Sequence, residues 1–367
     1  MTLARSGPAL ESPPRPAPLV TRSQRPAAWA ALGGVALVVV LALLPYLVQR
    51  GITDTLVNLY VLVVLATMWN VLAGYGGLIS VGQQAYIGLG AYAVLVAAQH
   101  GVNPFVAVPI AAAVCIVLAV PGSWLMLRLS GGYFAIGTWV LAVVAQLIVS
   151  RFSSLGAGTG TGLPGLGAFD PVVLGAYTYW SALAVAVAGL LAVYGLLRSR
   201  TGLVLTAIRD NEVGARSVGG RIGRAKRTVY LLSAGGCGAA GAVLIISQLN
   251  VQPAAIFNVQ WSADMIFAVL IGGIGSVEGP VLGAIAFIAL QNGLAGYNAW
   301  YLIVLGVIAM AMAIWARRGL WGLFTSRGNL QLFPVGFWLH SARAVRRTGP
   351  SRHLLGPVKP PQPGDRR

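Results

Sequence analysis

Charged residues are absent from six long stretches of this 367-residue chain. No Asp, Glu, Lys or Arg occurs in 26–49, 55–127, 129–150, 171–197, 228–263 or 279–316. A transmembrane helix needs about 20 mostly apolar residues. The stretch 55–127 is long enough for three such helices with turns. Only 9% of the chain is charged, against about 25% in ordinary soluble domains. With a mean hydropathy of +0.78, lipid is the solvent this sequence is built for.

The net charge of +17 raises the question of nucleic acid, and its distribution answers it. Apart from Arg50, Arg128 and Arg151, every basic residue lies before Pro26, within 198–227 or after Trp315. Basic segments that flank apolar spans follow the positive-inside rule, so no nucleic acid is needed to explain them. The expected fold is all-α and polytopic, with about eight to ten spans, some of them broken at glycines. Ten spans fit near 27–48, 54–73, 79–99, 104–127, 132–150, 176–197, 228–249, 262–275, 280–296 and 299–316. Both termini and the basic loop then share the cytoplasmic side. Arg50, Asp54, Arg151, Asp170 and Asp264 fall on outer loops. The eighth span is short. Were 262–287 one helix, a further span near 330–345 would be needed to keep the C-terminus inside. Residues 1–26 read as a disordered basic tail, and 326–367 as a basic, Pro-containing tail disordered from Gly349. They flank a transmembrane domain at 27–325.

Two glycine clusters stand apart from ordinary small-residue packing. One runs through Gly74, Gly76, Gly77, Ser80, Gly82, Gly88 and Gly90. The other holds Gly272, Gly273, Gly275, Ser276, Gly279, Pro280 and Gly283. Each contains Gly-Gly followed by Ser-Val at the same distance. Broken helices of this kind survive only inside protein or along a cavity.

The chemistry of most enzyme classes is missing. No Gly-x4-Gly-Lys-Ser/Thr loop occurs; the two lysines, Lys226 and Lys359, follow no glycine loop. His100, His340 and His353 are scattered without zinc-ligand spacing. Cys115 and Cys237 sit in apolar runs and read as packing residues. Ion-driven carriers keep acids inside the membrane. Here Glu278 is the one acid near a span core, and a cap on the helix after Pro280 is its simpler role. Polar residues in the glycine-rich spans are candidates for a translocation path: Gln83, Gln84, Tyr133, Thr138, Gln146 and Ser276. Each is equally a donor or acceptor between helices.

The longest polar insert is 198–227. Leu203, Ala207 and Ile208 fall on one helical face, and Asp210 or Asn211 is placed to cap a second short helix. Periodicity alone leaves two readings open: docking to a partner, or lying on the lipid surface.

The insert resembles the cytoplasmic coupling segment of permeases from bacterial branched-chain amino acid ABC importers. The residues that carry the likeness are Gly202, Ala207, Ile208, Arg209, Asp210, Asn211, Glu212, Ala215, Ser217 and Gly219. Five further blocks agree in order: Trp69-Asn70 through Gly74, Gly77, Gly82 and Gly88-x-Gly90-Ala91-Tyr92; Leu127 to Thr138; Gly158 to Leu163; Gly272 to Ala284; and Trp315 to Leu320. The likeness spans about residues 50 to 325. The Gly158–Leu163 loop is looser than the family's Thr-Gly-Gly form, and Gly132 and Gly220 depart from its pattern. The resemblance implies one half of a heterodimeric pore in the cell inner membrane, completed by a second permease subunit. It implies two cytoplasmic ATPase subunits that hydrolyse ATP in trans, an external solute-binding protein, and no cofactor on this chain. Branched-chain amino acids fit such a path, as do urea or short amides. A stand-alone secondary transporter is the rival of another class.

Overall fold

The computed structural model describes residues 25–294 except 168 and 218, together with 19–21, 300–315, 319–327 and 338–340. The tail ends and the stretch 330–337 lie outside the described residues. The chain divides into two units. Residues 1–26 and 336–367 form one, and Ala27–Val335 the other.

The larger unit is helical. Its first elements are α1 (Arg25–Leu43, beginning just ahead of the unit boundary), α2 (Arg50–Asn70), α3 (Gln84–Gln99), α4 (Pro104–Met126), α5 (Gly132–Arg151) and α6 (Pro171–Arg198). Two short helices follow, α7 (Arg200–Asp210) and α8 (Glu212–Ser217). Then come α9 (Ile222–Gln248), α10 (Pro253–Ile256), α11 (Gln260–Gly272), α12 (Gly279–Gly293), α13 (Trp300–Trp315) and α14 (Gly319–Arg327). The strands are β1 (Leu19–Thr21), β2 (Thr161–Gly162), β3 (Asn250–Val251) and β4 (Trp338–His340). In the smaller unit β1 pairs antiparallel with β4.

Each expected span finds a helix. Among the described residues, six helical segments are long and apolar enough to cross a membrane. The protein is therefore a multi-pass, all-α membrane protein. The expected boundaries move in three places. The 79–99 span begins as helix only at Gln84. The basic loop ends early, because α9 already starts at Ile222. The short eighth span is real at 13 residues, and the single turn of α10 lengthens the segment to Pro253–Gly272.

Burial separates centre from periphery. The apolar windows of α2 and α9 are 78% and 83% buried, those of α4 and α5 only 28% and 22%. Val117, Trp124, Ile136, Leu147 and Ile148 on α4 and α5 are exposed, as a lipid-facing surface requires. The central position of α9 follows from its composition. Gly235, Gly236, Gly238 and Gly241 lie where a Cβ would meet Ile116, Met68, Cys115 and the Ile87 backbone. Small residues let three neighbours approach one helix closely. Cys115 and Cys237 are buried and unbridged. The Cys237 thiol donates to Gln83 Oε1 (3.2 Å) and the Cys115 thiol to the Tyr86 carbonyl (3.4 Å).

Both Gly-Gly-x-x-Ser-Val stretches leave the helix. After α2 a single π-helical turn over Val71–Tyr75 leads into irregular chain up to Gln83. Leu78, Ser80 and Gln83 are buried there. The second stretch, 273–278, joins α11 to α12 as a tight hairpin. Gly283 opposes the Ala268 carbonyl and Gly272 opposes that of Gly279, so the two helices run antiparallel. A single 262–287 helix is thereby ruled out, and no compensating span is needed. Gly273 (φ 121°) and Gly275 (φ 75°) occupy backbone conformations that side chains disfavour, which is why the turn needs glycine.

Candidate functional site

One end of the helical unit gathers three segments distant in sequence: the end of α2, the α7–α8 pair and the 273–278 turn. Asn70, the last residue of α2, is buried. Its Oδ1 accepts from Gly275 N (2.7 Å) and its Nδ2 donates to the Ser276 carbonyl (2.8 Å). The neighbouring Trp69 indole donates to the Ser80 carbonyl (2.8 Å). Adjacent side chains of α2 thus satisfy both irregular Ser-Val segments, as buried backbone requires. Gly74 is small because a Cβ there would meet Gly275 N at 2.8 Å.

Arg209, in the last turn of α7, reaches the same turn. Its Nη1 donates to the Gly275 carbonyl (2.7 Å), and its guanidinium lies 5.7 Å from the centre of the Tyr75 ring. Gly275 is therefore held from both sides, by α2 through its N–H and by α7 through its carbonyl. Ser276 Oγ donates to the Gly273 carbonyl (3.0 Å) and accepts from Gly279 N (3.1 Å). Ser276 caps α12. Glu278, expected to do so, makes no side-chain cap bond.

The residues singled out in the 198–227 insert form two short capped helices. Ser199 Oγ accepts from Gly202 N (3.4 Å) at the start of α7, and Asn211 Oδ1 accepts from Gly214 N (3.0 Å) at the start of α8. Asn211, not Asp210, is the second cap. The inward face of α7 is Gly202, Leu205 and Ile208, with Ala207 partly covered. Leu203, expected to share one face with Ala207 and Ile208, is exposed, whereas Ile208 is buried. Leu205 completes the buried face of the 11-residue helix. Ala215 is the buried residue of α8, while Asp210, Ser217 and Gly219 are exposed. Leu203 and Val213, at 46% and 75% exposure, present apolar surface away from the protein's own core.

Glu212 ties α8 to α9. Its carboxylate accepts from Lys226 Nζ at 3.0 Å through both oxygens, with Arg216 at 3.6 Å. Partly exposed pairs contribute about 0–1 kcal/mol. Glu212→Gln is accordingly expected to lower the melting temperature by no more than a few degrees in detergent. A larger drop would show that the pair organises more than α8.

The six path candidates do not converge. Gln83 and Gln84 are buried and diverge, Gln83 accepting from Cys237 on α9 and Gln84 from Ser262 on α11. Thr138 is buried between its own helix and the irregular segment, donating to the Ala135 carbonyl (2.9 Å) and accepting from Val81 N (3.2 Å). Tyr133 is exposed, Gln146 partly buried, and Ser276 belongs to the hairpin. Asp264, expected on an outer loop, is instead inside α11. At the opposite end of the unit, β2 pairs antiparallel with β3, fastening the Gly158–Leu163 loop to the end of α9. Tyr75 had no role in the sequence reading, Asn70 entered it only within the Trp69-Asn70 block, and Lys226 only as a lysine that follows no glycine loop.

Broken helices thus lie within a membrane-spanning bundle, and a capped helical pair is latched to one break. The chain belongs to the family described as branched-chain amino acid transport system / permease component, which matches residues 51–313. It is similar to the high-affinity branched-chain amino acid transport system permease protein LivM of Escherichia coli strain K12, 26% identical over 314 residues, covering 78% of this chain and 73% of that protein. The LivM protein of Salmonella typhimurium strain LT2 is similar to the same extent. No solved structure shows a significant match.

Proposed function

We propose that this chain is one half of the translocation path of an ATP-driven importer in the inner membrane. A second permease subunit completes the path, two cytoplasmic ATPase subunits supply energy, and an external binding protein delivers the solute. Branched-chain amino acids are the proposed solute, a reading supported by the family and by the names of the LivM relatives. The α7–α8 pair and both termini lie on the cytoplasmic side, in keeping with the distribution of basic residues.

The observation that carries this reading is the latch at Gly275. A helical pair that presents Leu203 and Val213 outward and grips the hairpin turn through Arg209 is suited to pass a push into the bundle. ATP-driven closure of the ATPases would move α7, drag the 273–278 turn and shift α11 and α12 against α2, giving alternating access.

The test uses the native chain, because Cys115 and Cys237 are both buried. Val213→Cys is expected to cross-link to a cysteine placed in the ATPase groove, with a yield that changes between nucleotide-free and ATP-bound complex. Protection of the Val213→Cys thiol by lipid, with no cross-link in an assembled complex, would return α8 to the membrane surface and sink the docking reading.

A further inference from the structure

We infer that Asp264 is a recognition group within the solute path, its carboxylate receiving the ammonium of an amino acid; the inference rests on the permease reading above. Asp264 lies in the apolar segment Pro253–Gly272. It sits eight residues before Gly272, roughly 12 Å of helix rise from the hairpin turn. A carboxylate at that depth cannot face acyl chains cheaply. Ionisable groups inside membranes face the bundle interior or a water-filled cavity, and they mark solute pathways.

Its position on α11 narrows the choice. The helix buries Ser262, Met265, Ala268 and Val269, whereas Asp264 is only partly covered. Among the described residues, its hydrogen bond comes from Gln260 Nε2, one turn earlier, at 2.7 Å to Oδ1. Both ion pairs among the described residues involve Glu212 instead. Gln260 therefore orients the carboxylate without neutralising it, and the second carboxylate oxygen and the side-chain oxygen Oε1 of Gln260 remain as acceptors.

An α-ammonium brings three N–H donors and a positive charge to such a set. Urea and short amides bring N–H donors without the charge. The site thus selects amino acids from the solutes the apolar path admits. A fixed ion pair with the second permease subunit would use the same carboxylate, but it would desolvate two charges permanently for little gain. A solute's charge need be matched only in transit.

The experiment uses the full complex with its binding protein in proteoliposomes and tracer leucine as probe. Asp264→Asn keeps the size and can keep the Gln260 bond. It is expected to lower leucine uptake at least tenfold while the complex stays assembled and ATP hydrolysis still responds to the binding protein. Asp264→Glu is expected to restore part of the uptake. Wild-type uptake by Asp264→Asn would overturn the inference. Loss of the second permease subunit from that variant would overturn it in favour of an interface ion pair. Equal loss in Asp264→Glu and Asp264→Asn would overturn it in favour of packing. If the wild-type complex carries no leucine, the solute reading beneath it fails instead.

Discussion

Arg209→Met is expected to reduce solute uptake by roughly tenfold to a hundredfold in proteoliposomes, while ATP hydrolysis by the assembled complex continues. The substitution removes the donor to the Gly275 carbonyl at 2.7 Å. Hydrogen bonds to charged groups contribute about 1.5–3 kcal/mol, and each 1.4 kcal/mol is about a factor of ten. Methionine keeps much of the side chain's packing, so α7 should stay seated through Leu205 and Ile208. Only the link between α7 and the turn is lost. Arg209→Lys is expected to recover little, because a single ammonium cannot address the Gly275 carbonyl and the Tyr75 ring together as a planar guanidinium does. The ratio of solute moved to ATP hydrolysed is the quantity to measure. An unchanged ratio in Arg209→Met would show that the push travels elsewhere.

The other large effect concerns folding. Gly272→Leu is expected to leave no correctly folded protein recoverable in detergent, whereas Gly175→Leu should behave as the parent. A Cβ at Gly272 meets the Gly279 backbone, including its carbonyl oxygen, with Gly283 N behind it. Ordinary overpacking costs about 1–3 kcal/mol because side chains give way. Here the obstacle is the backbone of a hairpin whose other close approach, Gly283 to Ala268, is equally tight. Gly175 has nothing within 4 Å of the same ideal Cβ. Size-exclusion profiles and melting temperatures of the two variants decide the matter. A monodisperse Gly272→Leu with parental stability would mean that the hairpin opens more easily than its geometry suggests.

The membrane class was legible in the sequence because charge-free runs leave few alternatives, and each such run holds helix, though among the described residues only six segments are long and apolar enough to cross a membrane. The 198–227 insert was legible as a motif, but the phase of α7 was not. Eleven residues make three turns, too few to choose between Leu203 and Leu205 as the inward residue without knowing what α7 packs on. The Gly275 latch was out of reach for a different reason. Arg209 and Gly275 are 66 positions apart, and Asn70 lies 205 positions from Gly275. Nothing in one sequence pairs a helix-terminal asparagine with a distant glycine turn. Asp264 misled because a lone charge between apolar runs reads as a loop marker. The helix that runs through Ser262 and Met265 places it within α11 instead. The matching Gly-Gly-x-x-Ser-Val stretches were visible from the start. Their common fate, both held by α2, appeared only with the fold.

The hairpin and the late start of α3 also set a thickness. Helices of 16, 13 and 15 residues, α3, α11 and α12, rise only about 24, 20 and 22 Å, against a hydrocarbon layer of about 30 Å. Bilayer thinning, tilt or water has to make up the difference. Where water does so, the dry barrier a solute crosses is shorter than the bilayer. The transmembrane potential, which drops over the driest part, then becomes a steeper electric field across that part. A permease built on such short helices would make each ångström of solute displacement count for more.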